Sequence, residues 1–237
     1  MLQLPCSPTM SAPGGSGHEA VRSSFGFCAL TRSGGAPNPQ AFSSALGVIE
    51  AQALYDGTLR EVYLRSAKVE GKVYLDLCDS EWRVIEIDEN GWRIFGPDAP
   101  VRFYRRRGML PLPMPVDGGV VDLLKPYVNA SKDDFYLLVS FALAALHGCG
   151  PYPVLVLLGE AGAAKSTLLR VVKRLVDPNK ADLRAPPEGN RDLFITANNS
   201  YVVTLDNLSS LPEWLSDTLC RLATGGWLRD TRALHRR

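Results

Sequence analysis

Pro153-Val-Leu-Val-Leu-Leu158 runs directly into Gly159-Glu-Ala-Gly-Ala-Ala-Lys-Ser-Thr167, and then into Leu168-Leu-Arg-Val-Val-Lys-Arg-Leu-Val176. This passage decides the fold. Six apolar residues in succession are the pattern of a parallel strand buried on both faces. The stretch from Leu168 is apolar along one side and stops at Asp177-Pro178, as an amphipathic helix does. Strand, glycine-bearing loop, Lys-Ser/Thr and helix together give the context of a phosphate-binding loop. Small side chains at Gly159, Ala161, Gly162, Ala163 and Ala164, with Glu160 among them, let backbone N–H groups wrap a phosphate chain. The helix N-terminus adds partial positive charge. The expected ligands are a phosphate chain and Mg²⁺. Lys165 reaches the β- and γ-phosphates, Ser166 binds Mg²⁺, and Thr167 completes the cradle. One position departs from the strict pattern. Ala164 stands where glycine is usual, acceptable at negative φ and costly at positive φ.

A second apolar run, Tyr201-Val-Val-Thr-Leu-Asp-Asn207, ends in a carboxylate 41 residues after Lys165. It has the layout of a Walker B strand, with Asp206 holding the Mg²⁺ shell beside the loop. A buried strand ending in an Asx turn is the plainer reading. Asn207 occupies the place where many ATPases carry a water-activating glutamate. An amide orients water but cannot take its proton, so slow hydrolysis is expected. The catalytic set is then Lys165, Asp206 and Asn207, and the metal set Ser166 and Asp206.

The rest of the 237-residue chain frames this core. Twenty-six basic and twenty-five acidic residues leave a formal charge of +1, so any nucleic-acid footprint must be local. Five cysteines with no CxxC pair speak against a disulfide framework or a zinc finger and fit a reducing cytoplasm. The most apolar run, 136–146, is too short to span a bilayer, and the N-terminus lacks a signal-peptide pattern. Residues 1–40, rich in Ser, Gly, Pro and Ala, are expected to be disordered. Residues 41–107 are expected to form a small β-rich accessory domain. A helix is expected over 41–55, ended by Asp56-Gly57. Val62-Tyr-Leu64, Lys72-Val-Tyr-Leu-Asp-Leu77, Glu81-Trp-Arg-Val-Ile-Glu-Ile87, Trp92-Arg-Ile-Phe95 and Val101-Arg-Phe-Tyr104 read as an antiparallel meander, with turns at Glu70-Gly71 and Asn90-Gly91. Its interleaved aromatics and arginines fit a structural sheet or a nucleic-acid-binding face. After Arg105-Arg-Arg107, residues 108–118 form a proline-rich linker, and the ATPase core occupies 119–237. Ser131, with Asp134 three residues on, marks a helix N-cap.

From about residue 45 to 226 the chain resembles a family of bacterial and prophage ATP-binding proteins. Their ATPase core is similar to superfamily 3 helicases of the phage and poxvirus primase–helicase type. The resemblance rests on Gly159–Thr167, Ala197-Asn-Asn-Ser200, Leu205-Asp-Asn-Leu-Ser-Ser-Leu-Pro-Glu-Trp-Leu-Ser-Asp217 and Leu219-Cys-Arg-Leu-Ala-Thr-Gly-Gly226. It implies an AAA+-like α/β core with ATP and Mg²⁺ as cofactors, a homo-oligomeric ring, and translocation on single-stranded DNA during prophage or mobile-element replication. It also implies a further strand, a DNA-binding hairpin and an arginine finger beyond the Thr-Gly-Gly element. The reading therefore expects a core incomplete at its C-terminus. A codon choice for residues 227–237 exists that, in another frame, encodes a family-like continuation.

The expected fold class is α/β: an AAA+-like P-loop NTPase with a parallel-sheet core, preceded by a small antiparallel β domain and a disordered N-terminus. The expected function is a cytoplasmic, helicase-type ATP hydrolase with weak or no turnover. A nucleotide-binding remnant without catalysis is the first alternative. A small P-loop kinase is the second, though no arginine-rich lid or acceptor pocket is visible.

Overall fold

The structure, a computed structural model, describes residues 2–3, 38–56 and 61–225. Most of the segment expected to be disordered, and the tail from Gly226 with its alternative-frame reading, lie outside the described residues. Two compact units divide the chain: Met1–Ser7 together with Tyr63–Arg237, and Pro8–Val62. Sequence reading drew its boundaries elsewhere, after residues 40, 107 and 118.

In the smaller unit, α1 (Pro39–Tyr55) starts two residues before the expected helix. Pro39 is pre-set for a first helical turn, and the Asn38 side chain accepts the Gln40 N–H at 2.9 Å.

The larger unit begins with β1 (Leu2–Gln3), which pairs antiparallel with β8 (Val202–Val203). This corrects the expectation of disorder at those two residues. After β2 (Val62–Tyr63) comes a four-stranded antiparallel sheet of β3 (Ser66–Val69), β4 (Lys72–Asp76), β5 (Val84–Asp88) and β6 (Gly91–Phe95), in that order. Glu70 and Gly71 join β3 to β4 with φ of 52° and 81°. Two consecutive left-handed residues make the hairpin turn whose twist matches the strands. One face of the sheet presents Leu75 and Ile85 to Leu112 and Leu146. The other presents Ala67, Tyr74 and Val84 to Tyr63, Ala99 and Val101, near β7 (Arg102–Phe103). Tyr74 is buried there and donates to Glu86 at 2.8 Å; burial and that bond push its phenol up to about 12.

A 3₁₀ helix (Val121–Tyr127) precedes α2 (Lys132–His147). The Ser131 hydroxyl accepts the Asp134 N–H at 3.2 Å and donates to its carboxylate at 2.7 Å. Gly148 ends α2 in the left-handed conformation, where a Cβ would meet Ser66 Oγ at 2.5 Å. Then follow α3 (Lys165–Val176), α4 (Asn190–Asn198), β8 and α5 (Glu213–Ala223). The main core gathers Phe135, Leu138, Phe141 and Ala145 of α2, Leu169, Val172 and Val176 of α3, and Tyr201 and Val202. A second cluster packs α4 and α5 on Val203.

The apolar run 153–158 differs from the strand expected to be buried on both faces. Leu155 and Leu157 pack on the core, whereas Val156 and Leu158 are 68% and 90% exposed. Among the described residues it contributes one bridge residue, Val154, rather than a ladder. The parallel pairing that joins Arg184 to Leu205 is likewise one bridge.

The sheet is fastened to the core by a buried ionic hub. Arg65, fully buried between β2 and β3, donates from Nε to Asp177 at 3.2 Å and to the carbonyls of Asp76, Leu110 and Pro178. Asp177, also fully buried, accepts Lys173 Nζ at 2.5 Å and the N–H groups of Tyr201 and Val202 at 3.0 Å each. Lys173 donates as well to the Val202 carbonyl. Burial pulls its ammonium below the usual lysine range, and the Asp177 carboxylate opposes that pull.

Candidate functional site

The loop between Leu158 and α3 is exposed throughout residues 159–164. Gly162 lies at φ 83° and Ala164 at φ 58°, ψ 20°. Ala164 is therefore left-handed, the costly alternative for a residue with a Cβ at the position where glycine is usual. Such a conformation costs an L-residue about 1–2 kcal/mol. The turn is closed by the Ala163 N–H donating to the Glu160 carbonyl at 3.3 Å.

Two features prepare the N-terminus of α3 for an anion. Ala164 offers no side-chain cap, and the first turn holds no acidic residue. The leading N–H groups and the positive end of the helix dipole thus meet no carboxylate from their own turn. Lys165 folds back over the loop, its Nζ donating to the carbonyls of Gly159 and Glu160 at 2.7 Å each. Carbonyl oxygens are neutral acceptors, so the cation is held in place without being neutralised.

Ser166 follows on the first turn. Its hydroxyl donates to Asp206 Oδ1 at 2.9 Å, across 40 residues of sequence. This brings together the two oxygen donors that sequence reading assigned to the metal. Thr167 is exposed on the same turn. Asp206 is held by its backbone: its N–H donates to the Arg184 carbonyl at 2.9 Å, while the Arg184 N–H donates to Thr204 at 3.2 Å. Sequence reading missed Arg184 because its part is played by main-chain atoms, which carry no residue signature. Asn207, next in the chain, is exposed and left-handed at φ 59°. It supplies an amide where a proton acceptor was sought.

Tyr201, Val202, Val203 and Thr204, each at most 1% exposed, place this carboxylate at the edge of the core. Among the described residues, no group of three or more His, Cys, Asp or Glu forms a metal cluster. Cys78, Cys149 and Cys220 are free thiols. No helix among the described residues is long and apolar enough to cross a membrane.

Residues 121–236 match the family model of the actinomycete integrative conjugative element replication protein. The matched stretch holds the loop, Ser166 and Asp206, and leaves out the antiparallel sheet. Comparison with curated proteins and with solved structures gives no match.

Proposed function

We propose that this chain binds ATP with Mg²⁺ on an AAA+-like P-loop core and serves mobile-element replication as a cytoplasmic, helicase-type ATPase. The observation that carries the reading is the Ser166–Asp206 hydrogen bond of 2.9 Å, at the head of an uncapped helix that begins with Lys165. A hydroxyl and a carboxylate, both hard oxygen donors, suit Mg²⁺, which keeps several water and phosphate ligands of its own. Ser166 and Asp206 would hold it. When bound, the ion supplies charge neutralisation between the phosphates. Lys165 would exchange its two neutral carbonyl partners for anionic phosphate oxygens, which turns its hydrogen bonds into ion pairs. The N–H groups of residues 159–167 would orient the phosphate chain. The match to a replication protein supports the replication setting. Single-stranded DNA as partner and a ring of copies as the assembly are part of the same proposal.

A nucleotide-binding protein without turnover is the second reading, favoured by Asn207. Phosphate release measured with and without Mg²⁺, and with and without single-stranded DNA, tests both. The first reading expects slow, Mg²⁺-dependent hydrolysis that DNA accelerates. Tight ATP binding with no release under any condition selects the second. Absence of Mg²⁺-dependent ATP binding overturns both.

A further inference from the structure

The antiparallel sheet, outside the family match, carries a cavity of about 140 Å³ walled by Trp82, Val84, Val101 and Phe103, with Asp76 and Arg102 as its charged members. Asp76 is fully buried. Its carboxylate accepts the Cys78 N–H at 2.9 Å and two bonds from Arg105, at 2.9 and 2.6 Å. That uses three of roughly four acceptor positions of a carboxylate. One remains unfilled, and Asp76 is among the residues that line the cavity.

Trp82 is half exposed, and its backbone is left-handed at φ 57°, which bulky residues rarely adopt. A large aromatic held outward by an unfavourable backbone is the kind of outlier that marks a working surface. The Arg105 guanidinium lies 3.9 Å from its ring centroid and is itself fixed by Asp76, so the indole is a braced platform. Arg102 lines the cavity and donates only to the carbonyls of Ala99 and Val101. Arg106 lies over the Tyr104 ring at 4.6 Å, and Arg107 is exposed. Among the described residues, none of these three arginines forms an ion pair with a carboxylate.

We propose that this cavity takes one base of single-stranded nucleic acid. The base stacks on Trp82 and donates an amino or imino N–H to Asp76, while Arg102 faces its phosphate. A planar π-face, a buried acceptor and the Arg102 guanidinium on the cavity wall match that ligand's three chemical parts. An aliphatic ligand would leave Asp76 and Arg102 unanswered. The site uses none of the P-loop residues, so it stands or falls separately.

The test is fluorescence anisotropy of the full chain with labelled 20-mer oligo-dC and oligo-rC, without nucleotide and with EDTA. Thermal unfolding and ATP affinity are measured alongside. Wild-type protein is expected to bind the single strand more tightly than a duplex of equal length. The tighter of the two oligomers names DNA or RNA as the source. Trp82→Ala is expected to weaken binding about ten- to hundredfold, with ATP affinity unchanged. Arg102→Gln is expected to lower the salt slope of log affinity by about 0.7. Should Trp82→Ala not fold, Trp82→Phe keeps a smaller platform and is expected to bind a few-fold more weakly than wild type. Absent binding by wild type, or folded variants that bind as wild type does, overturns the proposal. The latter result is also the outcome if the cavity takes a protein side chain instead.

Discussion

The two ends of α3 are built on opposite terms. At its C-terminal end, Lys173 and Asp177 are at most 1% exposed, and every polar contact there is made within the protein. At its N-terminal end, Ala164 is strained, the helix is uncapped, and Lys165 leans on two carbonyls in solvent-exposed surroundings. Twelve residues separate a satisfied hub from an unsatisfied one. Stability is concentrated at the first, and the proposed binding at the second. A helix anchored rigidly at one end can present an under-coordinated other end without unravelling.

Breaking the buried end should have the largest effect. Asp177→Ala strips acceptors from Arg65, Lys173 and two backbone N–H groups, leaving two buried cations uncompensated. The expected loss is about 3–5 kcal/mol of unfolding free energy, measured by urea denaturation. A loss under about 1 kcal/mol would place the fastening of the sheet elsewhere. Next comes Asp206→Asn, which keeps the shape and a hydrogen-bond acceptor for Ser166 but removes the charge. It should cost about tenfold or more of ATP affinity in Mg²⁺ and little in EDTA, since a hydrogen bond to a charged group contributes about 1.5–3 kcal/mol. Equal losses in both buffers would make Asp206 structural. The smallest effect sharpens the contrast. Ala164→Gly relieves a left-handed alanine of about 1–2 kcal/mol, partly offset by the greater unfolded-state entropy of glycine. A net gain of about 0.5–1 kcal/mol is expected in thermal unfolding, and a loss would contradict the strain assigned to the loop.

The same contrast explains what sequence could reveal. The helix start at Lys165 was legible, because Gly159, Gly162, Lys165 and Ser166 form a local pattern of residue type and spacing. The Ser131 cap and the Glu70-Gly71 turn were legible for that reason too. Asp177 was read only as a helix stop before Pro178. Its role depends on Arg65, 112 residues away, and no local pattern announces a pairing at that range. β3 escaped because Ser66-Ala-Lys-Val69 has little β-branched or aromatic content; its pairing comes from the turn and from β4. The run 153–158 was read as buried on both faces because hydrophobicity alone does not say how many faces a neighbour covers. Positive φ at Ala164 and Trp82 was likewise beyond reach, since neither residue type favours that conformation.

Calorimetric titration of ATP in Mg²⁺ into the full chain and into Lys165→Ala, with circular dichroism on both, tests the central claim most directly. Wild type should bind, and Lys165→Ala should lose about ten- to hundredfold in affinity while its spectrum and unfolding midpoint stay unchanged. Equal affinities for the two folded proteins, or no binding by wild type, would contradict the account.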